Sequence, residues 1–122
     1  MNILIVDDDE DGAALLTMLL ERQGWHVQSA ASVAEGRAAL RDRSYEVLIA
    51  DLHLPDGEGT ALLAGIEQPG LRGAILVTGA GIEESRACEG RERFGFCLKK
   101  PINGAEIVRI VRSIISPDTA PA

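Results

Sequence analysis

Three stretches of the chain are apolar at every position: Ile3-Leu4-Ile5-Val6, Val47-Leu48-Ile49-Ala50 and Ala74-Ile75-Leu76-Val77. A strand with one wet face alternates, whereas an unbroken apolar run suits a strand covered on both faces of a parallel sheet. Two weaker runs, the mixed His26-Val27-Gln28-Ser29-Ala30 and the short Phe96-Cys97-Leu98, suit sheet edges. Helical patterns fall between the strands. Ala13, Leu16, Leu19 and Leu20 share one face of a first helix that Gly24 stops. Ser32-x-x-Glu35 has the form of a capping box opening a second. A third is expected over residues 59–67. A poor fourth falls over 83–92, where Gly90 lies inside and Ala87 and Cys88 are the apolar side chains. Asn103 caps a fifth, striped by Ile107, Ile110, Val111 and Ile114.

The order is strand then helix, five times. Right-handed crossovers then predict an α/β fold, a doubly wound five-stranded parallel sheet. Placing the three apolar strands at the centre and the weak ones outside gives the order 2-1-3-4-5, the flavodoxin-like (βα)5 arrangement. Ligands of such sheets bind beyond the carboxyl ends of the strands, where the first and third strands diverge.

Size and composition restrict the function. The 122 residues make one domain, expected over 1–116, with 117–122 a tail or the start of a linker. Hydrophobic residues make up 46% and aromatic ones 3%, so the core is aliphatic. A net charge of −7 argues against direct nucleic-acid binding and against an anionic membrane, since both demand a basic face. Two cysteines, Cys88 and Cys97, make no disulfide framework and read as small hydrophobes in a reducing compartment. No leader segment and no apolar run of spanning length is evident, so a cytoplasmic location is expected.

The chemistry gathers at the predicted carboxyl ends. The first strand runs into Asp7-Asp8-Asp9, the third into Asp51, the fourth into Thr78 and the fifth into Lys100-Pro101. Any one of these reads equally well as a turn or surface residue. Together they bring carboxylates, a hydroxyl and an ammonium to one rim. Crowded carboxylates either take up a proton or recruit a cation, and hard oxygen ligands suit Mg²⁺. A carboxylate beside such an ion can attack phosphorus and form an aspartyl phosphate. No Gly-rich phosphate loop and no zinc-type His/Cys spacing is present.

At these residues the sequence resembles the receiver domains of two-component response regulators. Ile3-Leu4-Ile5-Val6-Asp7-Asp8-Asp9 resembles their acidic opening, and Asp51-Leu52-His53-Leu54-Pro55-Asp56-Gly57-Glu58-Gly59 their phosphorylation segment. Val77-Thr78-Gly79 resembles their switch hydroxyl with its small neighbour, and Leu98-Lys99-Lys100-Pro101 their Lys-Pro signature. The resemblance runs from residue 1 to about 116. It implies that Asp51 accepts a phosphoryl group from a sensor histidine kinase or phosphotransfer protein. It further implies that Asp7, Asp8, Asp51 and the His53 backbone carbonyl hold Mg²⁺, with Asp7 partly through water. Thr78 and Lys100 would contact the phosphoryl group, and the Lys100-Pro101 bond would be cis. Such a protein is a signalling module, catalysing only its own phosphorylation and dephosphorylation. Its output, domain or partner, is unspecified and would read a surface around the fourth helix and fifth strand. Asp9 has no role in the family and is expected to cap a helix. His53 is a candidate for tuning phosphoryl lifetime, while His26 reads as a solvated edge residue and Trp25 as packing between helix and edge strand.

The chain departs from the resemblance at Cys97, where receivers usually carry a mobile Tyr or Phe. Switching is therefore expected to rely on residues 79–92. Two alternatives keep the same residues. A phosphohydrolase of the haloacid dehalogenase type would want its nucleophile in Asp-x-Asp-x-Thr/Val after the first strand, and here Asp7-x-Asp9 is followed by Asp11. A pseudo-receiver would keep the fold without the chemistry, against which the complete set Asp7, Asp8, Asp51, Thr78 and Lys100 argues.

Overall fold

The structure is a computed structural model, and it describes residues 1–63, 69–78, 96–99 and 103–115. Five strands form one parallel sheet: β1 (Asn2–Val6), β2 (His26–Ala30), β3 (Val47–Asp51), β6 (Gly73–Thr78) and β7 (Phe96–Lys99), in the order β2-β1-β3-β6-β7. Two further strands of two residues each, β4 (His53–Leu54) and β5 (Gly57–Glu58), pair antiparallel in the loop after β3. Counting the strands of the main sheet alone, this is the expected 2-1-3-4-5. The register aligns Val6 with Ala30 and Ala50, and Asp51 with Val77, so the strand ends form one rim.

The three apolar strands occupy the centre because both of their faces are dry. Leu4, Val6, Leu48, Ala50, Ala74 and Leu76 point into one core, and Ile3, Ile5, Val47, Ile49, Ile75 and Val77 into the other. Helices α1 (Glu10–Glu21) and α3 (Gly104–Ile115) cover the second core through Ala13, Leu20, Ile107, Ile110, Val111 and Ile114. Helix α2 (Val33–Asp42) and a short 3₁₀ turn over Gly59–Leu63 cover the first. Trp25 packs half-buried against the second core, and His26 is exposed, both as read from the sequence.

The helix ends are held by the side chains that the sequence marks. The Glu35 amide donates to Ser32 Oγ at 3.1 Å, and the Ala31 amide to Glu35 Oε1 at 3.4 Å, so the box closes one residue early. Asn103 Oδ1 accepts from Ala105 at 2.9 Å and Glu106 at 3.2 Å. Gly24 adopts φ +92 just beyond α1. Asp9 occupies the N-cap position of α1, but its side chain makes no capping bond. Its backbone carbonyl accepts the Ala13 amide instead, at 2.9 Å. The third helix begins at Gly59 as expected, but as a 3₁₀ turn; residues 64–68 lie outside the described residues. The expected fourth helix (83–92), Lys100, Pro101, Cys88 and the tail also lie outside them.

Candidate phosphoryl-acceptor site

The strand ends bring three carboxylates together. Asp7 and Asp8 follow β1 directly and Asp51 ends β3, its hydrogen-bonded neighbour. One carboxylate oxygen from each lies within 4.8 Å of the others. Asp51 is buried, at 8% exposure, while Asp7 is half-buried and Asp8 exposed. The Asp9 amide donates to Asp7 Oδ1 at 3.0 Å and so orients that carboxylate. Among the described residues this is the one group of three or more acidic, His or Cys side chains close enough to share an ion.

Thr78 closes β6 beside it. Its side chain is fully buried, and Oγ1 has no hydrogen-bond partner among the described residues. Buried hydroxyls are nearly always paired, because leaving one unpaired costs about 1–3 kcal/mol. That leaves an unused donor at the rim, one strand over from Asp51. Three hard carboxylates of mixed exposure suit Mg²⁺, which keeps some of its water when bound.

The loop after Asp51 returns to the strand from which it left. The Leu52 amide donates to the Val77 carbonyl at 2.8 Å, and the Gly59 amide to the Leu52 carbonyl at 2.7 Å. Gly59 lies so close that a Cβ there would sit 2.2 Å from the Asp51 carbonyl oxygen and 3.0 Å from its carbon. Between these anchors, His53 is exposed at the start of β4. At the tip, Asp56 accepts from the Val33 amide at 2.7 Å and the Ala34 amide at 2.9 Å. These backbone bonds hold its carboxyl below the ordinary carboxylate range.

The structure therefore brings Asp7, Asp8 and Asp51 together, and sets Thr78 at the adjacent strand end. Lys100 lies outside the described residues; its neighbour Lys99 is exposed and pairs in register with Thr78. Cys97 is a free, half-buried thiol packed against the first core, on the face opposite Leu98. The sequence reading missed Asp56 and Gly59. Asp-Gly signals a turn, and nothing local shows that its carboxylate caps a helix 23 residues away.

Known proteins resemble the chain over most of its length. The family model described as response regulator receiver domain matches residues 3–112. A Leptolyngbya boryana protein, described as an uncharacterized 14.6 kDa protein in the sodA1 3' region, is 33% identical, with 92% of this chain and 88% of that protein covered. The transcriptional regulatory protein GlrR of Escherichia coli is 31% identical over 99% of this chain, which spans only 27% of that protein. Among solved structures, a CheY-like response regulator receiver domain from Methylobacillus flagellatus superposes with a TM-score of 0.81 at 31% identity, covering 93% of this chain and 98% of that one. A second CheY-like receiver, from Methanospirillum hungatei, gives 0.81 at 31% identity over 98% of each chain.

Proposed function

The chain belongs to the response-regulator receiver domain family, and from that premise we propose that it accepts a phosphoryl group on Asp51 from a phosphohistidine donor. The observation that carries this reading is the three-carboxylate cluster, with a buried Thr78 hydroxyl one strand away that has no partner among the described residues. Membership in a family of signalling modules favours this reading over the phosphohydrolase alternative; the proposed chemistry is self-modification.

Asp7, Asp8, Asp51 and the His53 carbonyl would hold Mg²⁺. When bound, the ion supplies positive charge that offsets the phosphoryl oxygens. An Asp51 carboxylate oxygen attacks phosphorus in line with the donor imidazole. The P–O bond forms as the P–N bond breaks, and the electron pair returns to the imidazole nitrogen. Thr78 donates its hydroxyl proton to a phosphoryl oxygen, and Lys100 pairs with another. Burial of Asp51 keeps water from competing with these contacts.

In this reading residues 1–116 are the receiver unit, and 117–122 a tail or the start of a linker. The donor is a sensor histidine kinase or phosphotransfer protein in the cytoplasm, where the free thiol of Cys97 stays reduced. The output, attached or separate, reads the surface around residues 83–99. No helix among the described residues is long and apolar enough to cross a membrane.

Added Mg²⁺ is expected to raise the melting temperature. A cation bound only by the folded state contributes about 2.7 kcal/mol at a hundredfold excess over Kd. Asp8→Ala should blunt the effect, and a melting temperature unmoved by Mg²⁺ in the parent protein would remove the metal site. Thr78→Val separates the hydroxyl from the fold. Removing an unpaired buried hydroxyl while keeping its shape should leave the free protein as stable as before, or more stable by about 1 kcal/mol. The same change should slow labelling by acetyl phosphate. Urea melts and a labelling time course read the two effects. A variant destabilised by more than 1 kcal/mol would reveal a partner for Thr78, and unslowed labelling would remove its role.

A further inference from the structure

We propose that Asp56 is a positioning residue for the metal-binding loop: its carboxylate ties the segment between Asp51 and Gly59 to the first turn of α2, and thereby sets the His53 carbonyl. The inference rests on the metal-site reading above.

The loop needs an external anchor. Leu52 and Gly59 are buried, but His53, Pro55, Asp56, Gly57 and Glu58 are all exposed, and Leu54 is half-buried. Its only ladder pairs His53 with Glu58 and Leu54 with Gly57. A two-residue hairpin with so little buried apolar surface does not hold one conformation on its own. A carbonyl ligand for a small cation has to be held in one place, because Mg²⁺ tolerates little departure from its preferred geometry.

Helix α2 is the rigid partner. Val33 and Leu40 are buried in the first core, and Gly36 lets the helix approach so closely that a Cβ there would sit 2.5 Å from Leu62 and 3.0 Å from Val6. Arg37 Nη1 donates to the Ala61 carbonyl at 2.8 Å, tying α2 to the 3₁₀ turn that follows the segment. The donors of the first turn are divided between two chain segments. Ser32 takes the Glu35 amide, and Asp56 takes Val33 and Ala34. Two bonds from one carboxylate fix both distance and direction, and the positive end of the helix favours its charge. The tip also rests on the helix, since a Cβ built on Gly57 would lie 3.6 Å from Val33 Cγ2. Ser32 thus serves α2 alone, whereas Asp56 serves α2 and the loop. That difference makes Ser32 the control.

The test measures the Mg²⁺ dissociation constant by calorimetry, alongside melting temperature and amide hydrogen exchange, for four proteins. In Asp56→Ala the constant should rise about three- to tenfold, at or below the low end of effects from groups that orient a metal's ligands. Exchange at Val33 and Ala34 should quicken. Asp56→Asn keeps one acceptor oxygen and should fall between. Ser32→Ala should lower the melting temperature, as loss of a cap does, while leaving the constant within about twofold of the parent. An unchanged constant in Asp56→Ala overturns the proposal. So does an equal rise in Ser32→Ala, which would mean that helix stability alone is at work. Absence of Mg²⁺ binding in the parent protein overturns the metal-site reading and this proposal together. Parent binding that survives Asp56→Ala unchanged removes only the latter.

Discussion

Asp51→Asn is expected to take up no phosphoryl group when incubated with acetyl phosphate and Mg²⁺, where the parent protein gains one. The asparagine amide has nearly the shape of the carboxylate but lacks the anionic oxygen that attacks phosphorus. Asp7 and Asp8 remain beside it, yet they leave β1 from the strand next door, and Asp8 is exposed. Neither is held at the end of β3 facing the loop that Gly59 closes. The label in the parent should be stable in acid and lost in base, as an acyl phosphate is. Intact-mass measurement before and after base treatment reads both. Removing one of three crowded carboxylates also relieves repulsion, so without Mg²⁺ the variant should melt at or above the parent temperature. That second measurement separates loss of chemistry from loss of fold. Labelling of Asp51→Asn at the parent rate would move the acceptor elsewhere and defeat the assignment.

Gly59→Ala is expected to damage both stability and labelling, though it adds a single methyl group outside the cluster. The new Cβ would meet the Asp51 carbonyl carbon at 3.0 Å, a tight contact, and the Asp51 carbonyl oxygen at 2.2 Å, closer than a Cβ can come. Both are backbone atoms of a central strand, so no side chain can turn aside. Either β3 shifts at Asp51 or the Gly59 amide lets go of the Leu52 carbonyl. Overpacking of this kind costs about 1–3 kcal/mol, and the rigid neighbour places this site at the upper end. The displaced atoms belong to Asp51 itself, so labelling should fall further than the loss of stability explains. Comparison with Gly70→Ala tests the distinction. Among the described residues a Cβ there meets only Ser44 Cβ at 3.8 Å, an ordinary contact. A Gly59→Ala protein as stable and as readily labelled as Gly70→Ala would show that the approach of the loop to Asp51 has no consequence.

The strand order and the acidic rim are legible in the one-dimensional pattern because both follow from local rules. Runs such as Ile3–Val6 and Val47–Ala50 leave no polar face, so they can only be interior strands. Once the strands are ordered, a parallel sheet delivers the residues after each strand to one edge, and Asp7, Asp8, Asp51 and Thr78 follow without knowledge of any contact. The Ser32 and Asn103 caps were legible for the same reason, since donor and acceptor lie within one helical turn. Asp9 shows the limit of that rule: the position is right, but the side chain makes no capping bond.

What only the tertiary structure decided lies between segments distant in sequence. Asp56 caps a helix that begins 23 residues earlier, Gly59 abuts the carbonyl of Asp51, and Gly36 lets α2 rest on Val6 and Leu62. Sequence periodicity reports which face of an element is buried, but not which backbone atom of another element it will meet. The third helix tightened into a 3₁₀ turn at Gly59–Leu63 just where the loop has to close over β3. The state of Thr78 is likewise a property of packing: any β-branched residue could end that strand, and only the surrounding contacts leave its hydroxyl buried and without a partner among the described residues. Local pattern thus determined the elements, their order and the residues at the rim. Close approach between backbones determined how those residues are held, because steric exclusion and hydrogen-bond direction act across space and leave no periodic trace in the chain.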